Sequence, residues 1–205
     1  ETDLMNPPLA ISALSEDMIE QLGATDISGI FRTIPGLNVA GADTGTNRFV
    51  VRGISSQIGT GSASQTYATV ATYIDDTPMT SATGPARQLA GSLFDIQRVE
   101  VLKGPQGTLF GEGSQGGTIR YIYNEPDPSA LDFKVKAGFS AQDESDDYGF
   151  RGDGMINLPL SDNFAVRASA FSEERAGWID KTNISPIEED INTLKSIGGR
   201  LSAKR

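Results

Sequence analysis

The chain has 205 residues, of which 38% are hydrophobic, and a formal net charge of −10. It contains no Cys and no His, which excludes disulfides, Cys/His zinc sites and acid–base catalysis by His. The acidic balance, without any cluster of Lys and Arg, argues against nucleic acid as a partner.

The N-terminal third alternates short predicted elements with glycine and proline stops. Residues 9–14 are predicted to form a strand, and Ser15 is predicted to cap a helix that ends near Gly23. Thr25 is predicted to cap a second short helix, which Pro35-Gly36 ends. Its apolar face follows helical spacing through Ile27, Ile30, Phe31 and Ile34.

Two further strands are predicted at 49–54 and 69–74, and the second ends in an Asp75-Asp76 turn. The segment from Val39 to residue 48 and the segments 55–66 and 77–90 are predicted to be loops.

The segment 94–123 is the most informative part of the chain. It joins a predicted strand at 98–102 to a second predicted strand at 118–123 through a loop that is dense in glycine. Such density is needed where the backbone adopts positive φ or passes close to another backbone. The loop glycines are Gly104, Gly107, Gly111, Gly113, Gly116 and Gly117.

Several catalytic and cofactor motifs are considered and rejected. Gly111 to Gly116 match G-x-G-x-x-G, but β-type sequence follows where a dinucleotide site needs a helix. Asp75-Asp76 is better explained as a turn than as a catalytic pair, and the acidic run 143–147 lacks the ligand spacing of an EF-hand. No catalytic residue, cofactor or metal site is therefore predicted, and the chain is not expected to be an enzyme.

Beyond the proline-marked boundary at 124–128, four long segments alternate apolar and polar residues with period 2. An ordinary antiparallel sheet with one wet face would give the same alternation. The segments are longer than usual soluble strands, and their connections alternate in length (142–147, 161–163 and 183–192), as in outer-membrane barrels. Trp178 would suit an interfacial aromatic belt.

Four strands cannot close such a barrel, and open sheet edges are not tolerated in lipid. The chain also begins at Glu1 and shows no signal peptide. We therefore expect it to be a piece of a longer precursor.

Four segments resemble, in order, the plug of TonB-dependent outer-membrane receptors: 34–39, 49–54, 70–78 and 96–117. The resemblance implies an α+β plug domain at 1–128, a small mixed sheet with short helices. It implies about four antiparallel strands of an incomplete transmembrane β-barrel at 129–205.

The resemblance also implies a function. In this family the plug closes the barrel lumen, a scarce ligand binds at the outer face, and TonB of the inner membrane pulls on an N-terminal box. The implied location is the outer membrane of a Gram-negative bacterium, with the plug inside the barrel. Here the TonB box would lie upstream of Glu1.

Individual residues are assigned by the same resemblance. Arg52 and Lys103 match two plug cations that pair with barrel glutamates, with Lys103 in place of the usual arginine, and the partners are expected beyond residue 205. Glu112 departs from the commoner basic residue. Loops 55–66 and 79–88 would face outward, which makes Gln65, Tyr67, Met79 and Arg87 the candidate ligand contacts.

The leading hypothesis is a fragment of an active transporter, with a ferric siderophore as the first candidate ligand. Cobalamin, saccharides and other small molecules stay open. A signalling receptor of the same architecture and, more remotely, a soluble β-rich binding module are the alternatives.

Overall fold

The computed structural model describes residues 10–25, 27–40, 48–55, 69–79, 92–111, 113–141, 147–177 and 192–205. The chain forms two compact units, Glu1–Tyr123 and Asn124–Arg205. The domain boundary predicted at 128 lies shortly after this division. In the described part of the chain, no helix is both long and apolar enough to cross a bilayer.

The first unit contains eight described strands and a few short helices. The helices are α1 (Glu16–Gln21), α2 (Ile27–Ile30) with a following 3-10 turn (Phe31–Thr33), and α3 (Gly107–Phe110). The strands are β1 (Ala10–Ser15), β2 (Leu37–Ala40), β3 (Arg48–Val51), β4 (Ile54–Ser55), β5 (Val70–Ile74), β6 (Thr77–Pro78), β7 (Ile96–Lys103) and β8 (Gly117–Tyr123).

These strands form a mixed sheet of order β1-β7-β8-β5-β6 and a small sheet of order β2-β3-β4. Strand β7 is antiparallel to both of its neighbours, whereas β5 runs parallel to β8. The prediction of a small mixed sheet with short helices is confirmed.

The core lies on one face of the larger sheet. Period 2 in β7 and β8 puts Val99, Val101, Ile119 and Tyr121 on that face, where all four are buried. Buried residues from the short helices belong to the same cluster, including Ile19, Ile30 and Ile34. The predicted cap is present, since Ser15 Oγ accepts a hydrogen bond from the Met18 amide at 3.5 Å.

The structure corrects four details of the predicted elements. The predicted strand 49–54 is a hairpin, in which Arg52 and Gly53 form the turn between β3 and β4. The segments predicted as loops contain β2, β6 and helix α3. Each missed element is only two to four residues long. Strands of two to four residues are too short to show a period-2 pattern, and a helix of one turn is too short to show helical spacing.

Gly117 fixes how closely β7 and β8 approach each other. A Cβ atom at this position would lie 2.5 Å from the Leu102 carbonyl oxygen and 3.3 Å from Val51 Cγ1. Because the first of these atoms is backbone, a side chain here could be accommodated only by shifting the strand pair.

The second unit is an antiparallel meander of four strands: β9 (Asp132–Ala141), β10 (Tyr148–Ser161), β11 (Phe164–Arg175) and β12 (Leu194–Lys204). Its order is β12-β11-β10-β9, and consecutive strands pair along nearly their whole length. The four predicted alternating segments are these strands, and the predicted tight turn joins β10 to β11.

The two faces of this sheet have the opposite polarity to a soluble sheet. Large apolar side chains are exposed, with Phe133 at 75%, Ile197 at 85% and Leu201 at 75%, whereas Asp153 and Asn157 are buried. Alternation therefore distinguishes an outward apolar face from an inward polar face, as in a lipid-facing barrel wall.

We expect Gly117→Ala to destabilise the first unit by about 1–3 kcal/mol, the usual cost of overpacking a filled site. Hydrogen exchange of the β7 and β8 amides in the intact protein measures this effect. Gly107→Ala is the matched control, because a Cβ at Gly107 meets nothing within 4 Å. Equal exchange in the two variants would contradict the close-approach explanation.

Candidate functional site: a cation pair beside the glycine loop

The turn between β3 and β4 holds Arg52 in a strained conformation. Arg52 has a φ of 51° and Gly53 a φ of 81°. A left-handed backbone costs a non-glycine residue roughly 1–2 kcal/mol. The Arg52 amide donates to the Gly36 carbonyl at 2.7 Å, which ties the turn to the end of the helical segment.

The same turn brings Arg52 to the end of β7. A Cβ atom on Gly104, which has a φ of +104°, would lie 3.6 Å from Arg52 Nη1. The preceding residue is Lys103, and its pKa is lowered, first by burial and second by the positive charge of Arg52. Two residues about fifty positions apart in the sequence therefore form a pair of neighbouring cations.

This cation pair, Arg52 and Lys103, has no ion-pair partner among the described residues. The mutual repulsion is present while Lys103 is charged, and it is lost as the pH rises through the lowered pKa of Lys103. An acidic group placed beside both cations would remove the repulsion at neutral pH. The pair is thus chemically suited to bind a carboxylate, with a fork geometry available only from Arg52.

The glycine loop, residues 104–117, is closed by its own hydrogen bonds. The Gly104 amide donates to the Gly116 carbonyl at 3.0 Å, and the Gln106 amide donates to the Ser114 carbonyl at 2.8 Å. The Gly116 amide donates to the Thr69 carbonyl at 2.7 Å. These amides are already used inside the unit, and β8 rather than a helix follows the loop. Both facts agree with the rejection of a dinucleotide site.

Phe110, at the end of α3, fixes the loop onto the sheet. Its ring lies edge-on to the Tyr73 ring, with 5.2 Å between the centroids, and Arg120 lies 5.7 Å from the ring centroid. Tyr73 Oη donates to the Phe110 carbonyl at 2.8 Å. The loop is thereby held on β5 and β8 by one aromatic side chain.

A row of alternating charges crosses the sheet beside this contact. Glu100 accepts from Arg98 Nε at 2.7 Å and from Arg120 Nη1 at 2.9 Å. Arg120 Nη2 donates to Asp76 at 3.1 Å. Asp75 instead accepts from the Tyr123 amide at 3.0 Å. The two carboxylates of the Asp75-Asp76 turn therefore have separate structural partners.

The structure places some of the sequence-predicted site residues and not others. Arg52 and Lys103 come together. Five of the six predicted loop glycines lie between β7 and β8, and Gly117 is the first residue of β8. Met79 follows β6, half-buried, and its amide donates to the Thr72 carbonyl at 2.8 Å. Gln65, Tyr67 and Arg87 lie outside the described residues, as do Glu112 and Trp178, so their roles stay predictions.

The sequence analysis did not predict the contacts that join Tyr73, Phe110 and Arg120. The available signal was the alternation in β8, where Arg120 falls between the buried residues Ile119 and Tyr121 and so must lie on the other face. The contact with Phe110 was not predictable, because it depends on how the loop folds back.

A sequence model of the family described as "TonB-dependent Receptor Plug Domain" matches residues 3–118. The pesticin receptor of Yersinia pestis is 32% identical over 136 residues, which are 64% of this chain and 18% of that protein. The ferripyoverdine receptor of Pseudomonas aeruginosa is 26% identical over 206 residues, covering 93% of this chain and 23% of that protein.

Solved structures show the same fold. The crystal structure of the ferric yersiniabactin uptake receptor from Yersinia pestis superposes with a TM-score of 0.70 at 23% identity. The match covers 95% of this chain and 28% of that structure. The chain spans about a fifth of the length of the two curated relatives named above.

The first unit has the fold of a receptor plug domain, and the antiparallel strands that follow it do not close into a barrel over the described residues. The chain belongs to the TonB-dependent receptor plug domain family, since the family model covers more than half of it. Members of this family are receptors of the Gram-negative outer membrane rather than enzymes.

We expect Phe110→Ala to loosen the glycine loop by about 2 kcal/mol, roughly half the cost of removing a fully buried Phe ring. Hydrogen exchange of the Gln106 and Gly111 amides in the intact protein reports this loosening. Leu109→Ala is the matched control, because Leu109 lies on the same helix and is 71% exposed. If both variants exchanged at the wild-type rate, the Phe110 contact would not hold the loop.

Proposed function

We propose that this chain is the plug and the first barrel strands of an outer-membrane active transporter. The transporter takes up a scarce small ligand with energy delivered by TonB, and a ferric siderophore is the first candidate. The observation that carries the proposal is the outward apolar face of the second unit, which directly follows a plug domain.

The outward face has a composition suited to lipid. Register puts Phe133, Ile156 and Leu201 in one row across the sheet, with Ala168 between them. Toward one end, the rings of Phe139 and Tyr148 stack at 5.2 Å. Aromatic residues at the border of an apolar band are typical of barrel walls.

The dimensions agree with a bilayer. Outward residues on β10 extend from Tyr148 to Leu160. This length is about 40 Å along a strand at about 3.3 Å per residue. Tilted by about 40°, this part of β10 would cross about 30 Å of the bilayer, which is enough for the usual apolar band of about 25 Å. On the same face an exposed ion pair, Lys195 to Glu174 at 2.6 Å, lies at the level of Phe150 and supports a polar border there.

The cation pair fits the gating role of a plug. We propose that Arg52 and Lys103 bind acidic side chains of the barrel wall and so hold the plug closed. The lack of a counter-charge for either cation among the described residues supports this role. Lys103 keeps the charge of the usual arginine without its bidentate geometry, which makes a weaker latch.

The ligand is proposed from the relatives. The ferripyoverdine receptor and the ferric yersiniabactin uptake receptor are named for iron chelates. Gln65, Tyr67, Met79 and Arg87 remain the proposed ligand contacts. TonB is the proposed energising partner, through a box upstream of Glu1, and the proposed location is the outer membrane with the plug in the barrel lumen.

Other functions of the same architecture remain as alternatives: a TonB-dependent signalling receptor, or a transporter of saccharides, cobalamin or other small molecules. A soluble β-rich module is disfavoured, because it would have to expose the apolar face of β9 to β12 to water.

Uptake by cells carrying the full-length gene, with and without functional TonB, tests the transport proposal. We expect accumulation of one member of a panel of ferric siderophores, cobalamin and oligosaccharides, and only when TonB works. No TonB-dependent uptake of any compound, with the protein present in the outer membrane, would contradict transport of these ligands and favour signalling.

We expect Arg52→Gln and Lys103→Gln each to increase ligand-independent leakage of a large hydrophilic antibiotic by about tenfold. A hydrogen bond to a charged group contributes about 1.5–3 kcal/mol, and about 1.4 kcal/mol is a factor of ten. Arg32→Gln is the control, because Arg32 is an exposed cation of the same unit, stacked 5.7 Å from the Phe31 ring. Leakage equal to that of the control would exclude a latch.

A further inference from the structure

The segment 124–131, which we call the strap, joins the first unit to β9. Side chains from the inward face of the second unit hold the strap, and none of these contacts involves the outward apolar face. Asn157 lies on that inward face of β10, and Arg200 and Lys204 lie on the same face of β12. The strap is therefore fixed on the polar side of the sheet that it precedes.

Asn157 makes the central contact. Its Nδ2 donates to the Asp127 carbonyl at 2.8 Å and to the Ala130 carbonyl at 2.7 Å. Its Oδ1 accepts from the Asp127 amide at 3.0 Å. The side chain is fully buried. An amide in this position is costly unless it is bonded, and here strap backbone satisfies both of its ends.

The N-terminal end of the strap is held separately. Arg200 Nη1 donates to the Asn124 carbonyl at 3.1 Å, and Lys204 forms an ion pair with Glu125. Pro126, between these contacts and Asp127, is buried. Three side chains of the sheet, one on β10 and two on β12, thus fix the path of the strap.

Hydrogen bonds within the strap also fix its own conformation. Asp127 Oδ1 accepts from the Ser129 amide at 2.8 Å and from Ser129 Oγ at 2.6 Å, which forms a local turn. The two carbonyls that Asn157 binds lie on either side of this turn. A flexible connector would need none of these contacts, so the strap has the properties of an anchored element.

We propose that Asn157 is a positioning residue that anchors the strap to the barrel wall, so that force-driven unfolding of the plug stops at the strap. The plug can then be remodelled without pulling on β9, and it refolds from a fixed point. The use of this anchor in transport rests on the proposed function, but the anchoring itself is measured without ligand or TonB.

Single-molecule pulling on the intact protein in a lipid bilayer tests the anchor, with the handle attached ahead of Ala10. We expect the wild type to show a final, separate release after the first unit has unfolded. Its length should be about 28 Å, because the strap has eight residues at about 3.3–3.6 Å each. In Asn157→Ala this release should occur about a hundredfold faster at the same force, since each of three hydrogen bonds contributes roughly a factor of five.

Asn163→Ala is the matched control, because Asn163 lies exposed in the turn between β10 and β11. It should release at the wild-type rate. Asn157→Asp keeps the acceptor for the Asp127 amide but loses both donors, so it should also release faster than the wild type. No separate release in the wild type, or an unchanged release in Asn157→Ala, would overturn the proposal.

A measurement on the wild type keeps the test independent of any folding defect. In increasing urea, hydrogen exchange of the Asp127 amide should remain slow at concentrations where the Val99 amide of β7 exchanges freely. Exchange of the two amides at the same urea concentration would show that the strap unfolds with the plug, and would equally overturn the anchor.

Discussion

The antiparallel pairing of β7 with β8 is the constraint on which the first unit depends. These two strands are the centre of the larger sheet, with β1 beyond one and β5 beyond the other. Their approach is close enough that Gly117 leaves no space for a Cβ. The glycine loop joins them, and Phe110 folds back from the loop onto β5 and β8. The position of Lys103 beside Arg52 also follows from where β7 ends.

In the second unit, the distribution of apolar and polar side chains is the reverse of that in a soluble sheet. Its large apolar side chains face outward, apart from the buried Met155, whereas Asp153, Asn157 and Arg167 are buried polar groups. Arg151 binds Asp153 at 2.7 Å and Glu173 at 2.9 Å, and Glu173 also binds Arg175 at 2.7 Å. Such a network is stable away from water only when every member is satisfied. The sheet is thus built for a lipid surround on one side and a polar surround on the other.

The first unit holds its charges in two different ways. Arg98, Glu100, Arg120 and Asp76 are paired in a row across the larger sheet, whereas Arg52 and Lys103 have no ion-pair partner among the residues that the structure describes. A paired row resists distortion, and an unpaired cation pair favours docking against an acidic surface. The strap is held in another way, because the Asn157 side chain, and not a neighbouring strand, forms hydrogen bonds with its backbone. The groups proposed for closure, Arg52 and Lys103, are thus distinct from the group proposed for anchoring, Asn157.

The sequence by itself determined the long alternating strands, the capped first helix and the turn at Asp75-Asp76, because periodicity and capping are local. It also indicated the family, through ordered plug motifs. Tertiary structure decided the hairpin at Arg52, the short strands β2 and β6, the contact of Phe110 with Tyr73 and the bonding of Asn157 to the strap. The hairpin at Arg52 and strand β6 pair with near neighbours but are too short to show a period. The contacts of Phe110 and of Asn157 join residues distant in sequence, whose approach is set by strand pairing, and no local pattern contains that information.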